Sequence, residues 1–417
     1  MYRKLVLDNR IRVVTERIPT LKSVTVGIWV NTGSRDEQLS QAGYSHFIEH
    51  MFFKGTRRRS AAEISREIDG LGGEMNAFTT RETTTFYVKV LDQQLERALE
   101  LLSDLFHQSR FDTKEIEKEK KVVLEEIRMV QDDPEDLVQE LHTGQVLGRH
   151  PLGRSILGRE ETIRGLRRQD LMEYIEAHYD PSQIVIAIAG NFEQASLERL
   201  VRRYFGPPRA SKKPGVRTRR PAEVSGGVLV KRKPLEQVHL CLGLKGIAAG
   251  HKDRYAAYAL NSVLGGSVSS RLFQEVREKR GLVYSIYSFL SGYSDVGTIT
   301  VYAGTRAKEV PRVVELVCRE ITRINRTGID RKELARAKNQ MKGSLMLSLE
   351  SSHSRMSKLA KDELIYGSRT SLEDMLAQID RVTPDQIHAV GRQLFTMDRL
   401  AITGLGPISS RALHAYR

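Results

Sequence analysis

The chain has 417 residues, of which 40% are hydrophobic and 28% charged, with a formal charge of +14 and two cysteines, Cys241 and Cys318. That length exceeds one ordinary core and implies two domains of about 200 residues each. The composition excludes a disordered chain, the cysteine count excludes a disulfide framework, and no apolar run is long enough to span a membrane.

Residues Met1–Arg10 hold no apolar signal-peptide core, so the expected location is the cytoplasm. Residues 3–15 read as a hairpin turning at Asn9-Arg10. From Ser23 to Val30, Val24, Val26, Ile28 and Val30 alternate as one face of a half-buried strand. A helix carrying His46 and His50 follows and stops near Gly55. Ser60-Ala61-Ala62-Glu63 is a capping box for the next helix, which Gly70, Gly72 and Gly73 close. Strands are expected at 74–79 and 83–90. Helices follow from Asp92, from Asp112-Thr113 to about Gln131, and onward to about Leu147. A loop at 148–158 and a helix around 170–178 lead to the buried strand Ile184–Gly190.

Residues 207–222, rich in Pro and basic side chains, read as a linker between domains at 1–206 and 223–417. Arg202, Arg203, Arg209, Lys212, Lys213, Arg217, Arg219 and Arg220 crowd here with no acid among them. Without interleaved aromatics the run is a solvated segment, and no nucleic-acid or membrane partner is expected. Past the linker the order of elements repeats: a strand through Val238, Leu240 and Leu242, helices at 256–264 and 270–279, strands at 283–289 and 298–302, helices at 309–326, 331–349 and 384–394, and a strand at 399–403. Two copies of one α/β unit are predicted, each a mainly antiparallel sheet packed with helices.

The chemistry concentrates in Tyr44-Ser45-His46-Phe47-Ile48-Glu49-His50. Histidines four apart share a helix face and can grip one metal ion, and zinc suits imidazole ligands. Glu49 borders that face and can take the proton of a water at the metal without being a ligand itself. A catalytic zinc needs a third protein ligand. Glu119 and Glu126, seven apart, share a face of the acidic helix, and spacing alone does not choose between them. Glu115 and Glu117, beside Lys118, Lys120 and Lys121, read as a solvated charged face.

The order H-x-x-E-H inverts the commoner H-E-x-x-H zinc-protease motif. With it the chain resembles the pitrilysin/insulinase family of inverted-motif zinc peptidases, closest to the short bacterial members and the catalytic subunit of mitochondrial processing peptidase. The resemblance spans nearly the whole chain and implies a zinc endopeptidase acting on short or unfolded peptides, each chain being half of a clamshell. It makes Glu126 the third ligand, Glu119 a supporting acid and Glu49 the general base. It lays Asn76-Ala77-Phe78-Thr79-Thr80-Arg81-Glu82 along the cleft, where an extended substrate can pair with an edge strand. In Ser269–Tyr284 it gives Arg277 and Tyr284 to substrate and oxyanion, although that segment taken alone reads as a surface helix with a buried tyrosine. It also implies a second subunit, a homodimer first and a heterodimer with a related chain as the other form. The alternative role is that of a non-catalytic relative serving as partner or scaffold.

Overall fold

A computed structural model describes residues 1–206 and 219–414, so of the expected linker only 219–222 are described. The first half of the chain runs β1 (Tyr2–Val6), β2 (Arg12–Arg17), β3 (Ser23–Val30), α1 (Tyr44–Met51), α2 (Ala61–Gly70), β4 (Glu74–Thr79), β5 (Thr84–Leu91), α3 (Leu95–Gln108), α4 (Thr113–Asp132) and α5 (Pro134–Leu147). It continues through α6 (Glu160–Gly165), α7 (Arg168–His178), β6 (Ile184–Gly190) and α8 (Gln194–Phe205). The second half runs β7 (Gly227–Arg232), β8 (Val238–Gly246), α9 (Arg254–Leu264), a π-helical turn (Phe273–Glu278), β9 (Val283–Gly292) and β10 (Gly297–Thr305). Then come α10 (Val310–Thr327), α11 (Arg331–Ser348), α12 (Ser352–Tyr366), α13 (Leu372–Arg381), α14 (Pro384–Leu394), β11 (Ala401–Gly406) and α15 (Arg411–His414).

Five strands of each sheet repeat in topology, and the first sheet adds β1 at its edge. One sheet has the order β1-β2-β6-β3-β5-β4 and the other β7-β11-β8-β10-β9. In each a single parallel pair, β2 with β6 or β7 with β11, is followed by antiparallel neighbours. The class is α/β, with two sheets and helices, as the alternating strands and helical stripes predicted. The central strands β3 and β8 are buried along almost their whole length because both sheet faces are covered.

What covers the second face departs from the sequence reading. The compact units are Met1–Arg128 with Arg154–Arg219 and Ser348–Arg369, and Met129–Gly153 with Arg220–Leu347 and Thr370 onward. Domains split at 206/207 would leave α5 with the first sheet and α12 with the second. Instead α12 packs Met356, Leu359 and Ala360 on Val14, Trp29, Val185 and Ala187 of the first sheet. Conversely, α5 packs Leu137 and Val138 on Cys241, Tyr302 and Leu405 of the second. The reason is local fit. Gly27 in β3 leaves room for Met356, whose Sδ accepts from Trp29 Nε1 at 3.2 Å, and a Cβ there would lie 2.4 Å from that sulfur. Gly243 in β8 makes the same room for His142 of α5.

The opposite face of the first sheet buries the larger core, including Val26, Ile28, Phe86 and Val88 against Phe47, Ile48 and Met51 of α1 and Leu99 and Leu102 of α3. That packing holds α1, eight residues long, which would be marginal as an isolated helix.

Candidate active site

Helix α1 is preceded by its N-cap residue Gly43, whose φ of 97° is left-handed. Its first amides are satisfied from outside the helix: the buried Glu37 carboxylate accepts from Gly43 N at 2.9 Å and Ser45 N at 2.7 Å. With Phe47, Ile48 and Met51 turned into the core, His46, Glu49 and His50 are left on the remaining faces.

The histidines meet as the four-residue spacing predicts, Nε2 to Nε2 at 3.2 Å. Glu126 of α4 brings Oε2 to 3.6 Å from each of those nitrogens. That oxygen is buried and makes no hydrogen bond. Zinc ligands about 2.1 Å from the metal lie roughly 3.4 Å apart at tetrahedral angles. The three spacings bracket that value, and an otherwise unsatisfied carboxylate oxygen fits a cation at the centre. His46, His50 and Glu126 are the one such cluster of potential ligands among the described residues.

Glu119 takes the other role. Its Oε1 meets His50 Nδ1 at 2.8 Å and its Oε2 meets Lys54 Nζ at 2.6 Å. A proton held on Nδ1 by a carboxylate leaves Nε2 as the free lone pair turned toward the cluster. Burial opposes the charge on Glu119, but its hydrogen bonds to His50 and Lys54 hold the carboxyl below its ordinary range. For His50 burial pulls downward and is outweighed by the bond to Glu119 and the charges of Glu126 and Glu49, so its basicity is raised. His46, buried and beside His50, is pushed down to about 3 and stays a neutral imidazole, the form a metal needs.

Glu49 stands apart from the three ligands. Its Oε2 accepts from the hydroxyl of Thr79, the last residue of β4, at 2.5 Å. Burial raises its carboxyl while the Thr79 hydrogen bond opposes the rise. β4 is an edge strand, ending its sheet and paired only with β5 among the described residues. The substrate-strand residues divide by face. Ala77 packs with the core that contains α1, as Met75 does. Phe78 turns the other way, edge-on to Trp29 with ring centroids 5.4 Å apart, and Asn76 lies opposite Tyr87 in the β4–β5 register. A strand's period of two puts Asn76 and Phe78 opposite Ala77 and Thr79, so these side chains point away from α1.

Arg277 and Tyr284 belong to the second unit and lie together: the Arg277 guanidinium sits 5.4 Å from the Tyr284 ring centre and 4.9 Å from that of Phe273. The segment is a π-helical turn, not a plain surface helix. Tyr284 is 80% exposed where the segment read alone buried it. Sequence reasoning gave Lys54 no site role and placed Thr79 only in the cleft-lining segment Asn76–Glu82, without its bond to Glu49. Thr79 carried a signal, two positions past Ala77 and hence on the same strand face, and Lys54 sits four residues after His50.

A repeated α/β unit whose first copy alone holds two histidines and a distant glutamate around one point is the arrangement of the inverted-motif peptidases. The chain belongs to that family: residues 12–160 match the description Insulinase (Peptidase family M16), and residues 165–341 match Peptidase M16 inactive domain. It is 44% identical to YmxG of Bacillus subtilis, described as an uncharacterised zinc protease, over 95% of this chain and 97% of that one. It is 40% identical to a Streptomyces coelicolor protein of the same description, over 98% and 90%. The fold is shared with the crystal structure of a protease from Helicobacter pylori at TM-score 0.90 and 22% identity, covering 98% of this chain and 99% of that one.

Proposed function

We propose that the protein is a zinc-dependent endopeptidase that hydrolyses peptides or unfolded protein segments inside a chamber closed by two copies of the chain. The observation that carries this reading is the separation of roles in the first unit. Three potential ligands converge around the buried Glu126 Oε2, while Glu49 is held apart by Thr79 at 2.5 Å.

His46, His50 and Glu126 would hold a zinc ion, which would supply an activated water and polarise the scissile carbonyl. Glu49 removes a proton as the water oxygen adds to the carbonyl carbon, then returns it to the leaving nitrogen as the C–N bond breaks. The edge of β4 offers backbone groups to an extended peptide, a mode that reads little sequence. Arg277 and Tyr284 donate to the oxyanion. The cytoplasm is the proposed compartment, which suits the unpaired thiols of Cys241 and Cys318. No described helix is long and apolar enough to cross a membrane.

The test is metal analysis with a peptide-library digest of the unaltered protein and of Glu49→Gln. Zinc in both and cleavage only by the first supports the reading. Zinc without cleavage in either would make the chain a non-catalytic relative.

A further inference from the structure

Arg219 of the basic run is not spread into solvent. Its Nε and Nη2 grip Asp36 side-on at 3.0 and 2.9 Å. Its Nη1 reaches Glu82 Oε1 at 3.3 Å, and Nη2 also donates to the Glu82 carbonyl at 3.1 Å and the Asn31 carbonyl at 3.4 Å. The buried Arg35 binds the same Glu82 oxygen at 2.7 Å, so Arg35, Glu82, Arg219 and Asp36 form one row of alternating charge.

The two carboxylates lie on different segments, and each segment leads directly into the active site. Asp36 precedes Glu37, whose carboxylate holds the first turn of α1 through Gly43 N and Ser45 N. Glu82 lies in the turn between β4 and β5, where Thr80 Oγ1 accepts from Glu82 N and Thr83 N. One residue before that turn, Thr79 holds Glu49. The segments also touch through their backbones, Ser34 N to Thr80 O at 3.3 Å and Arg35 N to Arg81 O at 2.8 Å. Without the guanidinium, two partly buried carboxylates would share this junction with less cation between them, and like charges in a low dielectric separate.

We propose that Arg219 is a positioning residue for the base. By holding Asp36 and Glu82 on one planar fork, it fixes the β4–β5 turn against the segment that starts α1, and so sets Thr79 and Glu49 in register. The proposal rests on Glu49 being the base, as argued above. Its reach is short: one side chain, two carboxylates, and one residue from Glu82's turn to Thr79. A lysine carries the charge without the fork and cannot make both grips in the same plane.

The experiment uses the full-length, zinc-loaded chain. Arg219→Gln should lower kcat per bound zinc about tenfold with KM within about twofold, and should quicken amide exchange across residues 79–84 while the buried strand 184–190 stays protected. Arg219→Lys should recover part of the loss. In a Thr79→Val background the same change should cost little more, since the path it acts through is already cut. Should Arg219→Gln fold poorly, Glu82→Gln removes one grip and should give the same pattern in weaker form. A residue that only braces the fold would lower Tm but leave turnover per bound zinc unchanged, and that outcome overturns the proposal whatever the exchange shows. If the unaltered chain cleaves no peptide, the peptidase reading fails separately, and unchanged exchange at 79–84 then overturns the role of Arg219.

Discussion

The hydroxyl of Thr79 donates to the carboxylate of Glu49 across 2.5 Å, joining the end of an edge strand to the residue that would move the proton. The strand edge proposed to receive a peptide and the carboxylate proposed as the base are thereby fixed to each other. Thr79→Val keeps the shape and loses the donor. Turnover should drop about tenfold, in the range set by one charge-assisted hydrogen bond, with zinc content unchanged. Thr79→Ser should restore most of it. Equal turnover in Thr79→Val and the parent would show that the bond does not orient the base.

The metal ligands and the base should separate cleanly. His46→Ala, His50→Ala and Glu126→Gln should each lose both zinc and activity, whereas Glu49→Gln should keep stoichiometric zinc and lose hydrolysis. Atomic absorption on purified protein decides it, and a Glu49→Gln protein that emerges without metal contradicts the division.

Glu119 is predicted to tune zinc without binding it. Glu119→Gln leaves His50 with a weaker partner, and zinc affinity measured by chelator competition should fall by about 10- to 100-fold. An unchanged affinity would mean that His50 needs no help in presenting Nε2.

Stability should carry a pH signature of Glu37. Burial pushes its carboxyl up to about 7 despite the two amides it accepts from and the nearby Arg154. A carboxyl raised from an ordinary 4.5 in the folded state stabilises most below that value. Its contribution, on the order of 3 kcal/mol, is lost as pH climbs toward 7. Glu37→Gln should flatten the stability profile between pH 4.5 and 7 relative to the parent, and parallel denaturation profiles for the two would refute the assignment.

Much of this was legible in the sequence for identifiable reasons. The period-two run Val24–Val30 and the continuous run Ile184–Gly190 coincide with β3 and β6, and the Ser60 box coincides with the cap of α2. The His46/His50 pair was readable because a helix forces i and i+4 together. The choice of Glu126 over Glu119 was not, because both ride the same face of α4, and only the tertiary approach of α1 separates them. α12 escaped notice for a related reason. Its buried stripe is Met356, Leu359 and Ala360 amid polar neighbours, a weak pattern whose partner, Gly27, lies more than 300 residues away.

Assembly is the remaining prediction. Light scattering should give twice 47.3 kDa for active protein. Tyr284→Phe should lower turnover tenfold or more at full zinc occupancy, given the roughly 10²- to 10³-fold cost of losing one oxyanion donor elsewhere. Mixing Glu49→Gln chains with Tyr284→Phe chains then tells whose tyrosine serves which zinc. Recovery of activity requires that it act across the dimer, and no recovery after proven subunit exchange excludes that.

The traded helices α5 and α12 make the two copies of the repeat hostages to one another. A gene fragment ending at residue 206 would encode a sheet with Trp29, Val14 and Val185 bare to water, and would carry α5 without the strands it packs on. Such a piece should aggregate when made alone and become soluble only when the other half is made beside it. Splitting the gene after such a trade would give two products that each need the other to bury these faces, although among the described residues only the first copy carries a cluster of potential metal ligands.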